Sequence, residues 1–571
     1  MWLINTTTIS LELFYGDETP AYAILSHTWG DDELSFQEFR GLARLGTCDE
    51  IRNKAGYRKI VATCEQARSD GYRYAWVDTC CIDKSSSAEL TEAINSMFAW
   101  YRSSQICYAM LGDLSIHDDA IISQHRLLQE RLEKCRWFTR GWCLQELLAP
   151  RHIRFFSHDW REIGTKDCLG DILSRITGIP KTVLIAPQGK DLHDLPVARR
   201  ISWMARRRTT RIEDLSYSLL GILGIHMPML YGEGSMAFQR LQEEIIRKYN
   251  DMSIFAWRGA PRASEYMPVL ASSPSDFLRD AVHDGEEEHS SSSLLGDKLR
   301  TQFSLTNQGI YFPTARIYCQ NGTEEYRYQY LLALNYRDAA FRGIRDQDWY
   351  IALQKVGPGL FVRIYESPER QKAFRNNHIL DPLNESVCII NNISESLSRQ
   401  LSLWERYAVR LRWKPWKKSG RKYWNIRTTE PRANWDLIGG QFLLEMASEQ
   451  YMHIAFVPGN YETNPQFKYF VLVIQLGGGA VRDPSRISVK IVNSDIWPGV
   501  NETPFQFTSK ESLALRAIAP RPTTTGDGLE SISLAGYYMW VSVTLETQKN
   551  GLPYHLVYID WKESAFLRSR R

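Results

Sequence analysis

The chain has 571 residues, more than a single hydrophobic core serves, so two to four domains are expected. Hydrophobic residues make up 43% and charged residues 24%, an ordinary globular mixture. A formal net charge of +3 gives no global field that would direct the chain to nucleic acid or to a membrane.

The amino-terminal segment Met-Trp-Leu-Ile-Asn-Thr has neither a basic region nor a long apolar run, so no signal peptide is expected. Ten Cys are scattered without CxxC spacing, which fits reduced thiols in a cytoplasmic protein better than a disulfide framework. The most apolar run, Leu215 to Leu230, is interrupted by Ser216, Ser218, His226 and Pro228 and is too short to span a bilayer.

The first 165 residues alternate strand and helix signals. Tyr22–Ser26 reads as a strand ending in the polar turn from His27 to Asp32. Tyr57, Ile60, Val61, Cys64 and Ala67 recur at helical spacing, and Asp70-Gly71 supplies a stop. Tyr74–Val77 is strand-like and runs into Asp78-Thr79-Cys80-Cys81-Ile82-Asp83. Ser86 with Glu89 has the spacing of a capping box and opens a helix with Leu90, Ala93, Ile94, Met97 and Tyr101 inward. Ile106–Leu111 and His152–Phe156 supply two more strands. Such alternation predicts βαβ units and a mostly parallel sheet, with a ligand site at the carboxyl ends of the strands. Those ends are Ser26–Asp32, Asp78–Asp83 and Gly112–Asp113.

Between the last two of these strands lies a short helix carrying one carboxylate, Glu146, among Leu144, Leu147 and Leu148. Helical spacing puts Trp142 and Cys143 on its side, and Pro150 ends the segment. A carboxylate expected at the rim of a core, partly desolvated, can stabilise a developing positive charge. The same Glu could instead pair with Arg140, and Trp142 at this spacing also fits a core position. No metal site is expected, because His27, Cys80, Cys81 and Asp83 lack paired ligand spacing. A Cys–His nucleophile from Cys80 or Cys81 with His27 is a lesser alternative.

Residues 166–258 read as mostly helical, with stripes at Val197, Ile201 and Met204, at Leu215, Leu219, Leu220 and Leu223, and at Phe238, Leu241 and Ile245. The Gly-rich turn Leu230–Ser235 lacks the Lys and spacing of a phosphate loop. Residues 259–300 read as a linker, acidic and Ser-rich at His283–Ser293. From 301 to 571, short alternating apolar and aromatic runs predict a β-sandwich or barrel of unknown role. Within it, Arg406 to Arg427 holds nine Lys or Arg interleaved with Trp413, Trp416, Tyr423 and Trp424. That pattern suits either a solvated hairpin face or contact with nucleic acid or anionic lipid.

Three segments, AYAILSHTWGDDELSF, YAWVDTCCIDKSSSAELTEAINSMFAWY and WFTRGWCLQELLAP, resemble the three blocks of the fungal heterokaryon-incompatibility (HET) domain, in the right order. The stretch ARRRTTRIEDLSYSLLGILGIHMPMLYGEGSMAFQRLQEEII is similar to the region after that domain in many such proteins. Well-known members often continue into an ATPase module and WD repeats. This chain shows neither a Walker A pattern nor WD periodicity, so a trigger is expected to act through the β-rich half or a separate partner.

HET domains are held to be distant relatives of TIR domains, whose sheet is of the flavodoxin type. The resemblance therefore implies a TIR-like α/β amino-terminal domain (residues 1–165) with a helical extension, ahead of a β-rich carboxyl-terminal domain. Trp142-Cys143-Leu144-Gln145-Glu146-Leu147 is similar to a motif of many plant TIR domains whose Glu is needed to cleave NAD at the nicotinamide–ribose bond. By that likeness Glu146 is the catalytic residue, and Ser26, His27, Trp29, Asp83, Trp142 and Cys143 bind NAD, a substrate and not a resident cofactor. Nicotinamide leaves neutral, so no general acid is required, and the transition state is oxocarbenium-like, suited to one carboxylate. Trp29 or Trp142 would stack on a ring.

Self-association through the HET domain and an unidentified incompatibility or regulatory partner complete the expectation. The implied role is a cell-death effector of vegetative incompatibility that consumes NAD. The competing role is a death-signalling module that self-assembles without chemistry.

Overall fold

The protein is described from a computed structural model. It covers residues 1–278 except 46–48, 116–124, 186–191 and 260–265, and residues 302–391 except 321–328, 338–347, 358 and 366–382. Beyond 407 it covers strands only. The chain divides into two compact units, one of residues 1–261, 270–300 and 334–349, the other of 262–269, 301–333 and 350–571.

The first unit is built on a seven-stranded sheet. Its strands are β1 (Trp2–Asn5), β2 (Ser10–Leu13), β3 (Tyr22–His27), β4 (Tyr74–Trp76), β5 (Ile106–Leu111), β6 (Ile153–Ser157) and β7 (Glu162–Thr165), in the order β2-β1-β4-β3-β5-β6-β7. The central four, β4-β3-β5-β6, run parallel. Numbered along the chain, that is a 2-1-3-4 order, and the strand order reverses between β3 and β5, where a doubly wound sheet opens a crevice.

All six residues of β3 are buried, as expected of a central parallel strand covered on both faces. Each parallel pairing demands a crossover. Helices Ala55–Ser69, Ser87–Ser103 and Cys143–Leu148 lie within the three crossovers. The antiparallel hairpin β1–β2 on the β4 edge and β7 on the other edge lie outside what the alternation predicts.

Local chemistry sets these boundaries. Ser86 caps its helix by accepting from the Glu89 amide, while Glu89 Oε1 reaches back to the Asp83 amide. Helix Ala55–Ser69 starts against the turn after β3, and Gly56 permits it. Its amide donates to Asp32 O at 2.9 Å, and a Cβ there would lie 2.7 Å from the Leu34 amide nitrogen. The turn 27–34 is thereby pinned over the strand ends.

Residues 166–258 do not form a separate body. Helix Val197–Ser202, helix Met236–Lys248 and the 3₁₀ turn Pro274–Phe277 belong to the first unit. The Gln242 amide, fully buried, bonds Ala271 through both its oxygen and its nitrogen.

In the second unit, strands β8 (Gly309–Gln320), β9 (Gln329–Arg337), β10 (Asp348–Gly357), β11 (Leu360–Ile364) and β12 (Leu383–Ile390) close into a five-stranded barrel, because β9 pairs with both β10 and β8. Leu331, Ala352, Val362 and Ile390 are among its buried residues. Beyond 407 the strands form a six-stranded, a four-stranded and a two-stranded sheet, so the region read as one β domain holds several sheets. The acidic run His283–Ser293 lies outside the described residues. Strands 408–413, 417–418, 421–422 and 424–430 run through the basic stretch, whose Trp416 and Tyr423 are also outside them.

Candidate functional site

Glu146 sits on helix Cys143–Leu148 and is 5% exposed, deeper than the core rim expected from sequence. The Ser26 hydroxyl at the end of β3 donates to its Oε2, and the Cys143 thiol also bonds it. Ser26 in turn accepts from Trp137 Nε1 at 2.8 Å, so its oxygen is fixed from both sides. Burial pushes the Glu146 carboxyl up to about 7, and the nearby Asp78 charge adds to this. Ser26, Arg140 and Cys143 pull the other way without cancelling it.

His27 follows Ser26 and is also 5% exposed. Its imidazole stands between two carboxylates, Nε2 at 3.7 Å from Glu33 Oε1 and Nδ1 at 3.8 Å from Asp78 Oδ1. Both gaps exceed a hydrogen bond, and His27 Nε2, Asp78 Oδ1 and Thr79 Oγ1 are buried without a partner. Burial alone would push the Glu33 carboxyl up, but His27, the Gly30 amide and Lys59 hold it down to about 2. Unsatisfied buried polar atoms are costly, and these three gather at the carboxyl ends of β3 and β4.

Trp29 is 38% exposed, and its Nε1 donates to Asp78 Oδ2 at 2.7 Å. Its ring carries two cations, Lys84 Nζ 3.7 Å and the Arg140 guanidinium carbon 5.4 Å from the centroid. Trp29, expected to stack on a ligand ring, holds these two cations.

Two expectations need correction. Asp83 does not join His27, Trp29 and Glu146. It accepts from Gln37 Nε2 at 2.9 Å and from the Ser85 amide and hydroxyl, shaping its own turn. The carboxylate at the strand end is Asp78, which directly follows Val77 and leaves the sheet first. Trp142, expected to stack on a ligand, is half-buried and hydrogen-bonded to Asp214 in the helical extension. Ser26, Cys143 and Glu146 are brought together, while the His27 ring faces Glu33 and Asp78. Burial raises the Cys80 thiol well above its ordinary range, which weighs against Cys80 as the nucleophile of the Cys–His alternative. Among the described residues no group of three or more His, Cys, Asp or Glu has the arrangement of a metal site.

The helical extension supplies a residue the sequence did not single out. Arg207, 6% exposed, donates from Nη1 to Arg140 O at 2.9 Å, and its charge faces Cys143 and Glu146. Burial lowers its guanidinium to about 10, against the pull of those two groups. Around it, the Gly141 amide donates to Arg208 O and the Arg208 amide to Thr139 O. Nothing local marks Arg207 among the neighbouring Arg206 and Arg208, since only the tertiary pairing buries it.

Residues 22–124 match the family Heterokaryon incompatibility protein (HET). Residues 236–374 match a domain of unknown function (DUF8212). The chain is 46% identical over 229 residues to vegetative incompatibility protein HET-E-1 of Podospora anserina, which covers 40% of this chain and 16% of that protein. The wild-type Xerocomus chrysenteron lectin crystal structure aligns with 27% of this chain and 97% of its own at 11% identity and a TM-score of 0.17, too low to bear on fold or function. Among the described residues no helix is long and apolar enough to cross a membrane.

Proposed function

We propose that this chain is a cell-death effector of fungal vegetative incompatibility whose amino-terminal domain, TIR-like in fold, hydrolyses NAD at the nicotinamide–ribose bond. The observation that carries the reading is Glu146, a buried carboxylate beside the carboxyl end of β3 that exchanges its proton near neutral pH. The match to HET-E-1 supports the incompatibility role. The 2-1-3-4 order of the parallel strands supports the flavodoxin-type part of the reading.

In this reaction the C1′–N bond breaks and its electron pair stays on nicotinamide, which departs neutral. The ribose becomes oxocarbenium-like, and ionised Glu146 stabilises that charge or orients the ribose hydroxyls. Water then adds at C1′, and its proton passes to the carboxylate or to solvent. Ser26 and Cys143 fix the carboxylate direction, and Arg207 helps hold it ionised. Self-association through this domain and a separate recognition partner belong to the same proposal.

The test is nicotinamide release from NAD by purified full-length chain and by Glu146→Gln, with toxicity and cellular NAD followed in yeast. The unaltered chain should release nicotinamide and kill, and the variant should do neither. A variant that kills equally with NAD unchanged favours the other reading, a scaffold that signals by assembly.

A further inference from the structure

We propose that Lys84 and Arg140, mounted on Trp29, form the subsite that takes the diphosphate of a dinucleotide, an inference that rests on the NAD reading of the same site. Both cations lie over one indole ring, at 3.7 and 5.4 Å. Among the described residues neither has a carboxylate within ion-pairing distance, whereas Lys59 is matched by Glu33 and Lys54 by Glu38. Two cations held side by side without a direct ion pair, Lys84 in the field of Asp78 and Glu33 and Arg140 in that of Glu146, are an arrangement for an anion with two charges, and a guanidinium beside an ammonium suits adjacent phosphate groups.

The mounting is built from the interior outward. Lys59 holds Glu33, Glu33 faces His27, His27 faces Asp78, and Asp78 anchors the Trp29 indole by its N–H. Arg140 is fixed separately, through its carbonyl on the buried Arg207. The His27 Nε2 atom, buried and without a partner at the foot of this chain, is a second sign that the site is incomplete as it stands. Arg140 also acts on the Glu146 charge, which links the rim to the carboxylate. Trp29 therefore serves as the shelf for the cations, and the diphosphate they grip would direct the attached ribose toward Glu146.

The experiment is isothermal titration calorimetry on the full-length Glu146→Gln chain with ADP-ribose, inorganic pyrophosphate and the phosphate-free nicotinamide riboside. ADP-ribose should bind, pyrophosphate should compete with it, and rising salt should weaken it. Lys84→Gln with Arg140→Gln should weaken ADP-ribose at least about tenfold, the loss expected for charge-assisted hydrogen bonds, and leave nicotinamide riboside unchanged. Lys84→Arg with Arg140→Lys should retain most of the affinity, which separates charge from fold. ADP-ribose that fails to bind, or binds equally to the Gln pair, overturns the subsite. If ADP-ribose binding depends on the pair but the unaltered chain releases no nicotinamide, the diphosphate subsite stands and the hydrolysis reading falls.

Discussion

The proton on Glu146 is held more tightly in the folded chain than in the unfolded one, because ionising the carboxyl would bury a charge beside Asp78. The consequence for stability has a definite sign. Its contribution is fully present below about pH 4.5 and is lost as pH rises through about 7, the ordinary and the folded values. The loss amounts to about 3 kcal/mol at most. Glu146→Gln, which cannot ionise, should therefore gain on the unaltered chain as pH rises from 4 to 8. Melting temperatures of both across that range test this, and parallel profiles would refute it. Ser26→Ala should cost about 1–3 kcal/mol, because the buried Trp137 Nε1 loses its acceptor. Denaturant titration reads that loss. In the active chain the same change removes a bond that lowers the Glu146 carboxyl, so any pH optimum set by its ionisation should move up.

At the scale of elements, the motif helix is held by a segment about 65 residues further along, through an isolated bridge between Arg140 and Arg208. Gly141 lies at the crossing. A Cβ on it would come within 2.5 Å of Thr209 Cγ2, and Thr is stiff at χ1, so relief requires backbone movement. Gly141→Ala should destabilise by about 1–3 kcal/mol, as overpacking does. Adding Thr209→Ser removes the offending methyl and should recover most of the loss, a coupling that a double-mutant cycle measures directly. Additive single effects would show that Gly141 is not a contact-limited position. At the same crossing Trp142 bonds Asp214. Its indole serves the joint between the motif and the helical extension.

For the whole molecule, the edge of the first unit falls beyond residue 258. Phe277 is 1% exposed and meets Phe238 edge-on at 6.4 Å, the Arg258 amide donates to Asp276 O, and Ala271 satisfies both ends of the buried Gln242 amide. A chain cut at 258 strips these away and leaves an amide buried or newly wetted beside an apolar gap. A fragment of residues 1–278 should therefore melt higher than one of residues 1–258, by roughly 5–10 °C for a loss of about 3 kcal/mol in a unit of this size. Equal melting temperatures would place the boundary where composition alone suggests it.

Sequence by itself determined the four central strands, the helices between them and the carboxylate on the short helix before β6. It could do so because these are local signals: continuous apolar runs, 3.6-residue periodicity, a Ser cap and a terminal Pro. Ser26, Cys143 and Glu146 were legible as a group because a strand end and a motif within one crossover place them. Tertiary structure alone decided which acid accompanies them. Asp78 and Asp83 sit five residues apart on the same turn, and only the fold turns one toward His27 and the other toward Gln37. Tertiary structure alone also made Trp29 a shelf for two cations, buried Arg207 behind Glu146, and carried the first unit past residue 258. Each of these rests on contacts between residues far apart in the chain. The free energy of such contacts comes from burial and pairing in three dimensions, and no periodicity in the sequence encodes it.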